Sequence, residues 1–235
     1  MKFPRISLVI LLAVFAILPV QHGLLEKQVD ASINKAITDA TQAANSTVTK
    51  LFINEVYPRL AAYLDLEQAQ PLDSKGLTGD ALAETDRTIR SFMLGSDIMK
   101  IKIYARNSMT IYSTDLSQIG EDRSQNPALN SALQGIPGSQ ITHRGKFSSG
   151  DGGVFEKDWV ASYIPIRNKT GIVMGVVEIY TDRTSVVANV VGSNDQLHAA
   201  MLITQVLIFV LIVLLVWSLW SPLAIISKEQ DAGEH

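Results

Sequence analysis

Apolar residues crowd the two ends of this chain and alternate with polar ones in between. The first apolar run extends from Ile6 to Leu25, interrupted only by Pro19 and the Gln21-His22-Gly23 step. The second extends from Ala199 to Ile226 without a formal charge, and its polar breaks are Thr204, Gln205, Ser218 and Ser221. A helix needs about 20 apolar residues to cross the hydrocarbon core of a bilayer, so both runs predict transmembrane helices. The polar stretch from Glu26 to His198 is long enough for one domain with its own core. The predicted layout is a cytoplasmic tip and first span at 1–25, an extracytoplasmic domain at 26–198, a second span at 199–226 and a short cytoplasmic tail at 227–235.

Inside the central stretch the period changes along the chain. Val29, Ile33, Ile37, Ala40, Ala44, Val48 and Leu51 recur in steps of three and four, predicting a long helix with that stripe as its apolar face. Pro58 is expected to kink or end it, and Gln68 to Gly79 reads as a loop. A second helix fits Asp80 to Leu94, with Gly95 as its C-terminal cap. From Ile101 the period is two: Ile101 and Ile103 alternate with Lys100, Lys102 and Tyr104 in a half-buried strand. Thr110 to Thr114 predicts a second strand after an Arg106-Asn107-Ser108 turn. Ser124-Gln125-Asn126-Pro127 opens a short helix that Gly135 ends. Ser139 to His143, Val160 to Ile166 and Gly171 to Tyr180 predict three more strands, with Lys146 to Gly153 as an exposed loop. A last helix from Thr184 leads into the second apolar run. The expected fold class is α+β: a membrane-anchored, meandering antiparallel sheet of five strands, helices to one side, a long N-terminal helix, and two transmembrane helices as brackets.

Lys2 and Arg5 precede the first run, and Trp217 and Trp220 sit near the far end of the second, so both termini are expected in the cytoplasm. A cleaved signal peptide is the rival for the first run, with Val14-Phe15-Ala16 as its cleavage signal. No such signal follows the apolar stretch, and the run passes directly into the helical pattern, so an uncleaved anchor is expected. The chain has no cysteine, which excludes disulfides, thiol nucleophiles and thiolate metal sites. A net charge of −3 with no basic stripe argues against nucleic acid as a partner.

Several phrases then add up. Lys102-Ile103-Tyr104, Ile111-Tyr112-Ser113-Thr114-Asp115, Gln118-Ile119-Gly120-Glu121-Asp122 and Asn126-Pro127 are followed by Ser162-Tyr163-Ile164-Pro165-Ile166-Arg167. Gly175-Val176-Val177-Glu178-Ile179-Tyr180-Thr181-Asp182 closes the series. In order and spacing this stretch resembles the PAS-like, single-Cache periplasmic sensor domains of bacterial histidine kinases, diguanylate cyclases and chemoreceptors. The resemblance implies a PAS/Cache-like sheet, a small-molecule sensor in the bacterial inner membrane, and a long first helix that packs on its counterpart in a homodimer. Members of that family usually continue past the second span into an output domain. This sequence stops at His235 with no kinase histidine box, GGDEF run or EAL run, so the expectation is a separate output partner, or else a relict receptor. A periplasmic module that binds or assembles a partner protein is the competing class.

Enzymatic motifs are missing. There is no nucleophile elbow, no H-E-x-x-H helix and no phosphate loop, so no catalytic residue is expected. The four histidines, 22, 143, 198 and 235, lie far apart, so neither a metal nor another cofactor is expected. For a ligand such as a carboxylate or an amino acid, Tyr112, Trp159, Tyr163 and Tyr180 are candidate pocket walls. Arg123, His143 and Arg144 are candidate carboxylate donors. Asp182 is a candidate for a ligand amine, or equally the cap of the helix that follows.

Overall fold

The computed structural model describes residues 5–64, 76–148 and 154–232. The chain forms two compact units, Asn34–Ala188 and the pair of segments Met1–Ile33 and Asn189–His235. Its helices are α1 (Arg5–Leu64), α2 (Gly79–Met93), α3 (Pro127–Leu133) and α4 (Thr184–Ala232). Its strands are β1 (Ile98–Ala105), β2 (Thr110–Ser113), β3 (Gly138–Ser148), β4 (Val154–Arg167) and β5 (Val173–Asp182).

In the segmental unit, Gln196–Leu215 is the one stretch among the described residues long and apolar enough to cross a membrane. The first run is helical from Arg5 onward. His22 and His198 meet edge to face, with ring centroids 5.7 Å apart.

The other unit is built on one five-stranded antiparallel sheet, in the order β2-β1-β5-β4-β3. It is α+β with a long N-terminal helix, as the alternation predicted, but it is not a plain meander. β5 returns to pair with β1, so the chain first crosses from β2 through a 3₁₀ turn at Leu116–Gln118 and through α3 before β3 begins. The helices also divide between two faces. Phe52, Val56, Leu60 and Leu64 of α1 and Ile89 of α2 pack with Ile101, Ile103, Ile164, Ile166, Val177 and Ile179 on one face. Leu129 and Ala132 of α3 pack with Tyr104, Tyr163 and Val176 on the other. Two greasy faces need two covers, which is why the sheet sits between helical layers.

Two further expectations differ from the structure. Lys146 to Ser148 belong to β3, paired as a hairpin with β4 from Val154, rather than to a loop. Residues 149–153 of the expected Lys146–Gly153 loop, and most of the expected Gln68–Gly79 loop, lie outside the described residues. Pro58 does not end α1, which runs on to Leu64 because Val56 before it and Leu60 and Leu64 after it are fully buried. That burial outweighs the one hydrogen bond that proline removes.

The buried face of α1 differs most from its sequence pattern. Ala40, Ala44 and Leu51 are exposed, whereas Thr41, Asn45 and Thr49 are buried in register with Ile37 and Phe52. Polar residues occupy this face because most find partners on it. Asn45 Nδ2 donates to Ser162 Oγ and Thr181 Oγ1, both at 3.0 Å. Thr41 Oγ1 donates to the Ile37 carbonyl and accepts from Arg183 Nε at 2.9 Å. Gly175 of β5 permits the close approach of α1: a Cβ there would overlap the Tyr104 carbonyl oxygen and stand 2.6 Å from Leu64 Cδ2.

Candidate functional site

Strand alternation sends Ile101 and Ile103 of β1 toward α1, so Lys100, Lys102 and Tyr104 point toward α3. In β5 the same rule puts Val176, Glu178 and Tyr180 on the α3 face. Register completes the arrangement, because Lys102 stands directly opposite Glu178 in the β1–β5 pair and Glu178 opposite Tyr163 in the β4–β5 pair. Three neighbouring strands thus set a lysine, a glutamate and three tyrosines side by side.

Two local structures close over them. Asn126 caps α3 by accepting from the Ala128 and Leu129 amides, and its Nδ2 donates to the Tyr163 hydroxyl at 3.0 Å. Beside it, the Gly120–Arg123 segment is pinned along β2. Thr110 N donates to Glu121 O, Gly120 N to Thr110 O, and Arg123 N to Ser108 O. That pinning delivers the Glu121 and Arg123 side chains to the cluster.

The result is two charges held out of water, Lys102 and Glu178, beside two that are partly exposed, Glu121 and Arg123. Glu178 is 0% exposed and Lys102 2%. Glu178 Oε2 accepts from the Tyr104 hydroxyl at 2.5 Å. Glu178 Oε1 and Glu121 Oε2 are buried without a hydrogen-bond partner among the described residues. Lys102 Nζ stands 3.8 Å from Glu121 Oε2 and Arg123 Nη1 3.9 Å from the same oxygen, both beyond hydrogen-bond reach. Buried acceptors are almost always paired in folded proteins, so two such oxygens in one cluster call for an explanation.

The ionisation behaviour follows. Burial lowers the Lys102 pKa against the attraction of Glu178. Burial first, and the facing Glu178 carboxylate second, push the Tyr104, Tyr163 and Tyr180 hydroxyls well above their ordinary value. For Arg123, burial opposes the charge, but Tyr104, Tyr180, Glu121 and Glu178 together raise its pKa. Chemically, the cluster offers two cations to an anion and, to a donor, two carboxylate oxygens that carry no hydrogen bond among the described residues.

The structure gathers Arg123, Tyr163 and Tyr180 here, and leaves other sequence-derived candidates elsewhere. Tyr112 lies on the opposite face, in the α1–α2 core, where its hydroxyl donates to Asp86 Oδ1 at 2.9 Å. His143 bonds Asp158 through Nδ1 and Asn34 through Nε2, each at 3.2 Å, next to α1. Trp159 is half-buried on β4, opposite Asp182 of β5. Asp182 accepts from Thr184 N and from Lys157, which places it at the start of α4. Against the opposition of burial, those hydrogen bonds lower its pKa. The side chain of Arg144 lies outside the described residues. Lys102, Tyr104, Glu121, Asn126 and Glu178 were missed as site residues. The one sequence signal for Lys102 and Tyr104 was their shared face of β1, which reads as solvated until α3 is seen to cover it.

No protein-family model matches the sequence, and no curated protein does. Among solved structures the chain is similar to the sensor domain of the V. cholerae histidine kinase DctB, at 12% identity and a TM-score of 0.40. That alignment covers 71% of this chain and 59% of the DctB domain, so the chain spans less than two thirds of it. It is also similar to the E. coli DcuS sensor domain, at 17% identity and a TM-score of 0.36, covering 61% of this chain and 98% of that one. A third is the periplasmic domain of RsbU from Chlamydia trachomatis, at 14% identity and a TM-score of 0.34, over 64% and 58% of the two chains. All three are sensor or periplasmic domains.

Proposed function

We propose that this chain is a bacterial inner-membrane sensor. Residues 26–198 form its periplasmic domain, 1–25 and 199–226 its membrane anchors, and 227–235 a cytoplasmic tail. The domain binds a small polar molecule beneath α3 and passes the change through its membrane helices to a signalling output. The role is recognition rather than catalysis. The observation that carries this reading is the incompletely paired set of buried Lys102 and Glu178 with half-buried Glu121 and Arg123, walled by Tyr104, Tyr163 and Tyr180. A pocket that fixes a small ligand needs a few placed polar groups among aromatic walls, and these residues supply both.

A path outward supports the same reading. Glu178 and Tyr180 lie on β5, which ends at Asp182, two residues before α4 begins. Arg183 N donates to Asp158 O, and the Arg183 guanidinium donates to Thr41 of α1 and to Asp97. A ligand that drew Glu178 or Arg123 toward itself would therefore shift β5 and, through this junction, the first turn of α4 against α1. Small shifts at such packed junctions become piston or rotation steps.

The test is a thermal-shift screen of the full chain in detergent against small carboxylates, amino acids and polyamines. A ligand that binds only the folded state raises the melting temperature by mass action. The expected result is a saturable shift that Arg123→Ala and Glu178→Gln both abolish while the fold persists. No shift from any of the three classes would overturn the sensor reading.

A further inference from the structure

Where α1 runs past the end of β4, it leaves a groove of about 940 Å³ that Gly135 and Pro137, between α3 and β3, also line. Its floor is apolar, with Ile53 of α1 and Ile166 of β4 among the lining residues. Three cations line it: Lys50 of α1, Arg167 at the end of β4, and Lys169 in the turn that follows. No Asp or Glu is among its described lining residues, and none of the three cations forms an ion pair with a described residue. Arg167 is anchored, since Nη1 donates to Gly171 O and Nη2 to Gly135 O, both at 2.9 Å. Those partners are neutral carbonyls, so the guanidinium charge stays uncompensated.

One residue lining this groove carries a buried hydroxyl. Thr38, Thr41 and Thr47 each return their hydroxyl to the carbonyl four residues earlier in α1. Thr49 does not. It is 2% exposed, it lines the groove, and its Oγ1 has no hydrogen-bond partner among the described residues. A buried hydroxyl that forgoes the bond its neighbours make is costly unless something else supplies a partner.

We infer that this groove is a second binding site, for a free carboxylate with an apolar body. The apolar part lies on Ile53 and Ile166, the carboxylate sits among Lys50, Arg167 and Lys169, and Thr49 Oγ1 donates to it. The volume suits a molecule of that size. The site shares no residue with the cluster under α3, and the proposal stands independently of it.

Isothermal titration of the full chain in nanodiscs, with empty nanodiscs as the reference, tests this using 3-phenylpropionate as the probe. The uncharged 3-phenylpropanol and the cationic 3-phenylpropylamine are the comparison ligands. Saturable binding of the acid is expected, with at least about tenfold weaker binding of the alcohol and the amine. Lys50→Glu and Lys169→Glu, both exposed and without ion pairs, are expected to weaken the acid by about tenfold each. Thr49→Val is expected to weaken it severalfold while raising the melting temperature, because it removes an unpaired buried hydroxyl. A merely structural Thr49 would change the melting temperature and leave binding untouched. Equal binding of acid, alcohol and amine would overturn the inference, as would no binding of the acid or indifference to both charge reversals. Loss of acid binding in Arg123→Ala alone would move the ligand beneath α3 and overturn the groove assignment.

Discussion

At the scale of single residues, Glu178 holds the cluster under α3 together. It receives the Tyr104 hydroxyl and faces Lys102 across the β1–β5 ladder, with neither charge exposed to solvent. Removing Glu178 leaves the buried Lys102 with Glu121, 3.8 Å away and partly exposed, as its facing carboxylate, a larger penalty than losing an ion pair at the surface. Glu178→Ala should therefore lower stability by roughly 3 kcal/mol in urea unfolding. The double variant Glu178→Ala/Lys102→Met should recover a large part of that loss, since it removes the buried lysine charge and leaves Glu121 with Arg123. If the double variant is as unstable as the single one, Lys102 does not depend on Glu178 as described. The sequence held a partial signal for this pair. Lys102 and Glu178 occupy strand positions on the polar face, and polar faces of strands are ordinarily solvated. Only the pairing of β1 with β5, from segments far apart in the chain, shows that the two charges share one site.

At the scale of elements, α1 and β5 define how closely helix and sheet approach. Gly175 stands at their tightest point, where a Cβ would overlap the Tyr104 carbonyl and crowd Leu64. Backbone cannot yield as a flexible side chain can, so Gly175→Ala should cost about 1–3 kcal/mol, read as a lower urea midpoint with an unchanged slope. An unaffected midpoint would mean that α1 packs more loosely than described. The long helix also shows where periodicity misleads. Its alanines at 40 and 44 and its Leu51 formed a convincing apolar stripe, yet the sheet buries Thr41, Asn45 and Thr49 instead. Ser162, Thr181 and Arg183 answer Asn45 and Thr41 from remote parts of the chain, and a helix read alone cannot anticipate them.

At the scale of the whole molecule, buried tyrosines set the alkaline limit of the fold. Burial, followed by a facing carboxylate, raises the hydroxyl pKa of Tyr104, Tyr163 and Tyr180 through Glu178 and of Tyr112 through Asp86. A raised folded pKa gives stability that is present in full below the unfolded value of about 10 and is lost as pH rises beyond it. Lys102 has the opposite sign. Its lowered pKa makes stability rise with pH up to about 10.5, but one lysine is set against four tyrosines. These four phenols should stay protonated past about pH 10 and ionise only as the near-ultraviolet dichroism collapses, followed by absorbance at 295 nm. Reversible ionisation of all four near pH 10 with the fold intact would refute the burial described for them.

What the sequence determined by itself is the part governed by local periodicity and local chemistry. The apolar terminal runs, the change from a period of three to four to a period of two at Ile101, the Asn126-Pro127 start of α3 and the glycine at position 95 each depend on a few adjacent residues. Those signals were sufficient for the α+β class, the five strands and the long first helix. Tertiary structure decided the rest, because each remaining feature depends on residues distant in sequence. The return of β5 to β1 replaced the expected meander. The placement of α3 on the second face turned a polar strand edge into the interior of a site. Tyr112 and Arg123, equal as candidates in the sequence, fell on opposite sides of the sheet. Alternation tells which residues of a strand share a face, but only the packing of helices on both faces tells which face is the core and which holds the charges.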